Sequence, residues 1–118
     1  MDQDVLDFVD KLVNGSPELA AVHREHLADQ DGELLPHVLL GSISRLVVAC
    51  ALRDECPGWL TLLVRQLEAG LSSGSEEVAE LVGVSFVENL CGETEALAML
   101  LPRMGQAMRQ EVKAICGV

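Results

Sequence analysis

Glu33 and His37 stand one helical turn apart, a spacing at which a carboxylate can orient an imidazole for general-base chemistry. No Ser or Cys nucleophile is tied to them by a motif, so the pair reads as a capping acid beside a structural histidine. His23 and His26 follow an i,i+3 spacing that suits a metal. Helical metal sites of that kind draw further ligands from other helices, and no Glu-x-x-His pair supports these two. They read as an ordinary packed or half-exposed pair, and neither a metal nor a cofactor is expected. Ser85 lies in Val84-Ser85-Phe86 without the glycines of a nucleophile elbow. Gly70, Gly74 and Gly83 are scattered and lack the Lys-Ser/Thr of a phosphate loop. No catalytic residue is assigned, and the chain reads as a protein that is not an enzyme.

The four cysteines, at 50, 56, 91 and 116, form no CxxC pair. The N-terminus Met1-Asp2-Gln3-Asp4 is acidic, the reverse of a signal peptide's basic start. Four cysteines could form two disulfides in an exported protein, but with such a start the thiols are expected to be reduced and the protein cytoplasmic. Cys50 lies in an apolar stretch and reads as a small core residue.

The 118 residues suffice for one domain, spanning 1–118. Hydrophobic residues make up 49%, too many for a disordered chain. Nineteen acids against eight Lys and Arg give a formal charge of −11. Nucleic acids and anionic membranes require a cationic face, so neither is an expected partner. With no Tyr, one Trp and two Phe, platforms for stacking bases are nearly absent.

Periods near 3.6 recur along the chain and no segment alternates with period two. The expected class is all-α: an antiparallel bundle of about six to seven helices, or a fragment of a HEAT-like solenoid. The first helix turns Val5, Phe8, Val9 and Leu12 inward and closes at Asn14-Gly15. Ser16-Pro17 opens the second, with a hydroxyl cap before a first-position proline. The third starts near Glu33 and runs to about Arg53. After Cys56-Pro57-Gly58 comes a fourth, with Leu60, Leu63, Val64, Leu67 and Leu71 inward. A fifth runs from Glu76 to about Leu90, a short sixth lies between Gly92 and Pro102, and a seventh starts at Pro102.

Two helices depart from simple amphipathicity. On a wheel of about 100° per residue, the third carries apolar residues on nearly every side, which predicts a central position with neighbours all round. Its one polar strip is Glu33, His37, Gly41, Ser44 and Arg45, and a buried Arg45 would need an acidic partner. The fifth turns Val78, Leu81, Val82 and Phe86 inward, yet Ser85 and Asn89 fall in the same face with Glu88 at its edge. We expect His37, Ser44 and Arg45 to meet Ser85, Glu88 and Asn89 in one polar seam, with Asn89→Ala costing about 1–3 kcal/mol. Val84 and Val87 fall on the outward side of the fifth helix, as a packing or dimer face would require.

The runs Glu33-Leu34-Leu35-Pro36-His37, with Gly41 and Arg45, and Val84-Ser85-Phe86-Val87-Glu88-Asn89-Leu90 resemble the two signatures of an uncharacterised family of small bacterial helical proteins. Those signatures read approximately ELLPH-xxx-GD-xx-R and VSF-[VL]-ENL. Ser42 stands where that pattern commonly has Asp. The family resembles immunity proteins of polymorphic toxin systems, which implies a non-enzymatic protein that neutralises a cognate toxin by contact. Charge is compatible with that, because so acidic a body attracts cationic surfaces. The candidate contact acids are Asp29, Asp31 and Glu33 at one turn and Glu76, Glu77 and Glu80 at the start of the fifth helix. The alternative is a small helical adaptor acting through homo- or hetero-oligomerisation.

Overall fold

The computed structural model describes residues 2–54 and 57–117. Among them are seven α-helices and no strand: α1 (Gln3–Val13), α2 (Pro17–Asp29), α3 (Pro36–Leu52), α4 (Gly58–Leu71), α5 (Glu76–Val82), α6 (Thr94–Leu100) and α7 (Gln106–Cys116). The chain is thus all-α, as its periodicity requires. Cys56 lies outside the described residues.

Local chemistry accounts for the starts of three helices. Asp2 accepts from the Val5 N–H at 3.2 Å, Ser16 from Leu19 at 3.1 Å and Ser75 from Val78 at 3.3 Å, each satisfying an amide that the first turn leaves without a partner. Pro17 and Pro36 occupy first-turn positions where a missing N–H costs nothing. The third helix begins at Pro36, three residues later than expected, because Leu35 is extended. Likewise Pro102 sits in a 3-10 turn, Leu101–Arg103, that finishes α6, and α7 starts only at Gln106.

After Val82 the fifth helix widens. Residues Gly83–Val87 form a π-helical turn, with the Glu88 N–H bonded to the Gly83 carbonyl, and Glu88–Leu90 then tighten to 3-10 winding. This change defeats a wheel drawn at constant pitch. Ser85, Phe86 and Val87 are all buried in succession, whereas Asn89 is exposed. Val87, assigned outward from the sequence, is 0% exposed.

The core hub is α5 with its π turn, which packs against α1, α3, α4 and α7. Phe86, Leu81 and Val82 are fully enclosed there, facing Leu39, Leu40 and Ile43 of α3 and Leu63 and Leu67 of α4 in one continuous core. The third helix is less central than its all-round apolarity predicts. Val38, Arg45 and Leu52, spaced seven apart, form an exposed stripe, with Val38 46% and Leu52 52% exposed. Its other sides meet α2, α5 with the π turn, and α6.

Two of the four cysteines are not thiols. Cys91 and Cys116 form a disulfide, with Cα atoms 5.2 Å apart, that ties the end of the 3-10 turn to the last residue of α7. This corrects the expectation of reduced cysteines; a bridge between residues 25 apart leaves no spacing signature in the sequence. Cys50 is a buried free thiol. No described helix is long and apolar enough to cross a membrane.

Candidate functional site

The polar strip of α3 does meet the π turn, over part of its length. His37 Nδ1 is hydrogen-bonded to Ser85 Oγ, a contact between residues 48 apart that joins α3 to the widened turn. One helical turn further along both elements, the Asn89 amide and the Arg45 guanidinium close over Gly41: a Cβ on that glycine would lie 3.8 Å from Asn89 Nδ2 and 3.7 Å from Arg45 Nη1. Asn89 Nδ2 itself donates to the Ser85 carbonyl at 2.8 Å. His37, Arg45, Ser85 and Asn89 are therefore brought together.

The other two seam residues are not part of it. Ser44 is buried, but its hydroxyl donates to the Gly41 carbonyl of its own helix at 2.7 Å. A hydroxyl bonded back to its own helix has no need of a cross-helix partner. Glu88 is exposed, carried outward by the tightened winding. Arg45 is exposed as well and donates to Ser42 Oγ at 2.9 Å. Lying in solvent, it escapes the desolvation that would have demanded an acidic partner.

The pairings His37 with Ser85 and Gly41 with Asn89 advance together, so α3 and the α5 run lie in the same sense, with the first turn of α3 beside Ser85, past the end of α5 proper. Gly70, at the end of α4, meets Phe8 of α1 and Val78 of α5, which sets the α1 and α5 starts beside the α4 terminus. Asp4 and Asp7 line one hollow with Ser75, the cap of α5. The first turn of α1 therefore lies beside the α5 start that carries Glu76, Glu77 and Glu80, while Asp29, Asp31 and Glu33 flank the turn that leads into α3. All six of these candidate contact acids are exposed. Asp31 has a φ of 54°, a left-handed turn conformation that Asp tolerates better than most residues.

His26 was read as one of a packed pair, and its specific task was not legible. It is 5% exposed, and its Nε2 accepts from the Leu35 N–H at 2.9 Å. That bond serves the amide of Leu35, the N-cap residue of α3, and leaves the ring proton on Nδ1. Glu68 is a second residue that the sequence did not single out. Its two oxygens accept from Ala107 and Met108 at 2.6 and 2.9 Å, so α4 supplies the cap that α7 lacks. Among the described residues, no group of three or more His, Cys, Asp or Glu is placed to hold a metal.

A seven-helix domain with a π turn at its hub and exposed carboxylates at two of its turns is the class that fold and surface define. Residues 9–117 match the model of a family described as a domain of unknown function, DUF7674, and the chain belongs to that family. No curated protein and no solved structure matches it.

Proposed function

We propose that the protein is a non-enzymatic binding protein of the immunity type, which docks its acidic face over the basic cleft of a cognate bacterial toxin. The observation that carries the reading is the exposure of all six candidate acids, Asp29, Asp31 and Glu33 at the turn before α3 and Glu76, Glu77 and Glu80 in the first turns of α5. The first turns of α1 set Asp4 and Asp7 in one hollow with Ser75, the cap of α5. Carboxylates presented together raise the local field more than the same charges scattered, and steer a cationic partner into register. In this reading the protein works in the cytoplasm, and the Cys91–Cys116 bridge is a link that a reducing environment opens.

The test is co-expression with the product of the neighbouring gene, followed by capture on the tagged acidic protein. A stable complex is expected, with association slowing as salt rises. Reversing Glu76, Glu77 and Glu80 to Lys should abolish capture and protection from the toxin while leaving the fold intact. Capture unaffected by these reversals would refute the acidic face.

The adaptor reading is supported by one apolar feature. Val84 is 48% exposed, and Ile115, also exposed, lies against Gly83 beside it. Light scattering at micromolar concentration tests it, since self-association through this pair should vanish in Val84→Asp.

A further inference from the structure

A hollow of about 370 Å³ opens between α2 and α3. Val22, Glu25, His26 and Asp29 line it from α2, and Val38 and Arg45 from α3. The helical spacing sets each group on one face of its helix.

Its charges are arranged unusually. Arg45 shares the hollow with Glu25 and Asp29 but donates to Ser42 Oγ, and among the described residues no ion pair closes across the space. His26, nearly enclosed, has its Nε2 engaged by the Leu35 amide. Its remaining donor, Nδ1–H, has no protein partner and is not sealed from solvent, and the ring lines the hollow. A buried ring with a spare donor ordinarily finds an acceptor. Val22 and Val38 supply apolar wall.

We infer that this hollow binds a small zwitterion, a molecule of the amino-acid class with a carboxylate and an ammonium group a few bonds apart. A lone cation, such as a lysine side chain of a basic partner, would suit Glu25 and Asp29 but would face the Arg45 guanidinium and a histidine N–H. A lone anion would suit those donors and be repelled by two carboxylates. A ligand carrying both signs satisfies every group: carboxylate toward Arg45 and His26 Nδ1–H, ammonium toward Glu25 and Asp29, carbon chain on the valines. The volume falls at the small end of ligand sites, which span roughly 300–1,000 Å³.

The test is a titration of the ¹⁵N-labelled full chain with glycine, L-alanine, L-glutamine and γ-aminobutyrate, with acetate and ethylammonium as singly charged controls. At least one zwitterion should give saturable shifts at the amides of Glu25, Asp29, Leu35 and Ser42, half-complete below about 1 mM. The controls should give none. Arg45→Gln and the pair Glu25→Gln/Asp29→Asn should each weaken binding about tenfold or more; these side chains are exposed, and unchanged circular dichroism verifies their folding. No saturable response to any of the four zwitterions, an equal response to either control, or undiminished binding by Arg45→Gln would overturn the assignment.

Discussion

Glu68 and Ala107, 39 residues apart, are joined by a 2.6 Å hydrogen bond in which an α4 carboxylate accepts the first-turn amide of α7, its second oxygen taking Met108. Charge-assisted bonds of this kind are stronger than neutral caps, and the negative charge also sits at the positive end of the helix dipole. Removing both bonds in Glu68→Ala should cost about 2 kcal/mol. Gly105 is required by the same arrangement, because a Cβ there would stand 2.7 Å from the carboxyl carbon. Gly105→Ala should therefore displace the cap, and urea denaturation of the double variant should show less than the sum of the single losses. Strict additivity would separate the two residues.

The His26 bond to Leu35 gives the second expectation. Replacing His26 by Leu keeps apolar bulk and removes the acceptor, leaving the N-cap amide of Leu35 without its partner. A loss of about 1–3 kcal/mol follows, read as a lower urea midpoint with little change in slope. His23→Leu, at a half-buried position one turn away, should change the midpoint far less.

What the sequence made legible follows the range of the interaction. Helix positions rest on apolar period and on caps made within three residues, as with Ser16 and Leu19 or Ser75 and Val78, and these emerged within a few residues of their true ends. The Glu68 cap, the His26 bond and the Cys91–Cys116 bridge join residues 39, 9 and 25 apart, and no local pattern encodes such partners. The seam was half legible. Its α3 members lie on regular helix, so a wheel placed His37 and Arg45 correctly beside Gly41. On the other side the π turn shifts the phase of every following residue, which buried Val87 and brought Glu88 and Asn89 to the surface.

That phase shift revises the energetics of the seam. Ser85 is buried and bonded across the interface to His37, so Ser85→Ala should cost about 1 kcal/mol. Asn89 is exposed and bonded within its own element. Its replacement by Ala should cost only about 0.5 kcal/mol, below the range that a buried position predicts. Thermal melts of the two variants decide the order, and a larger loss for Asn89→Ala would restore a buried seam.

The disulfide closes a loop across α6 and α7, clasping the π turn: both sulfurs lie within 3.8 Å of the Val87 carbonyl. In the chain-entropy model a loop of this length contributes about 3.5 kcal/mol. Cys91→Ser/Cys116→Ser should therefore lower the urea midpoint markedly, and reductant should do the same to the parent protein. Once the variant is made, added reductant should have no further effect on it. A parent midpoint insensitive to reductant would show that the bridge carries none of the stability.

Gly70 marks a close approach of α1, α4 and α5. A Cβ at this position would stand 2.6 Å from Phe8 Cε1 and 3.1 Å from Val78 Cγ1, so α1, α4 and α5 meet here closer than any larger residue permits. Gly70 lies within α4, where Ala is the better helix former by about 1 kcal/mol; propensity alone predicts that Gly70→Ala stabilises. The clash acts in the opposite direction, since forcing an extra methyl into a packed site costs about 1–3 kcal/mol. The net expectation is destabilisation. Phe8 is half-buried and can yield if shortened, so Phe8→Leu in the Gly70→Ala background should recover part of the loss, whereas Phe8→Leu alone should destabilise. Urea midpoints for the four proteins of this cycle measure the coupling, and a Gly70→Ala protein more stable than the parent would mean that the three helices can separate at no cost.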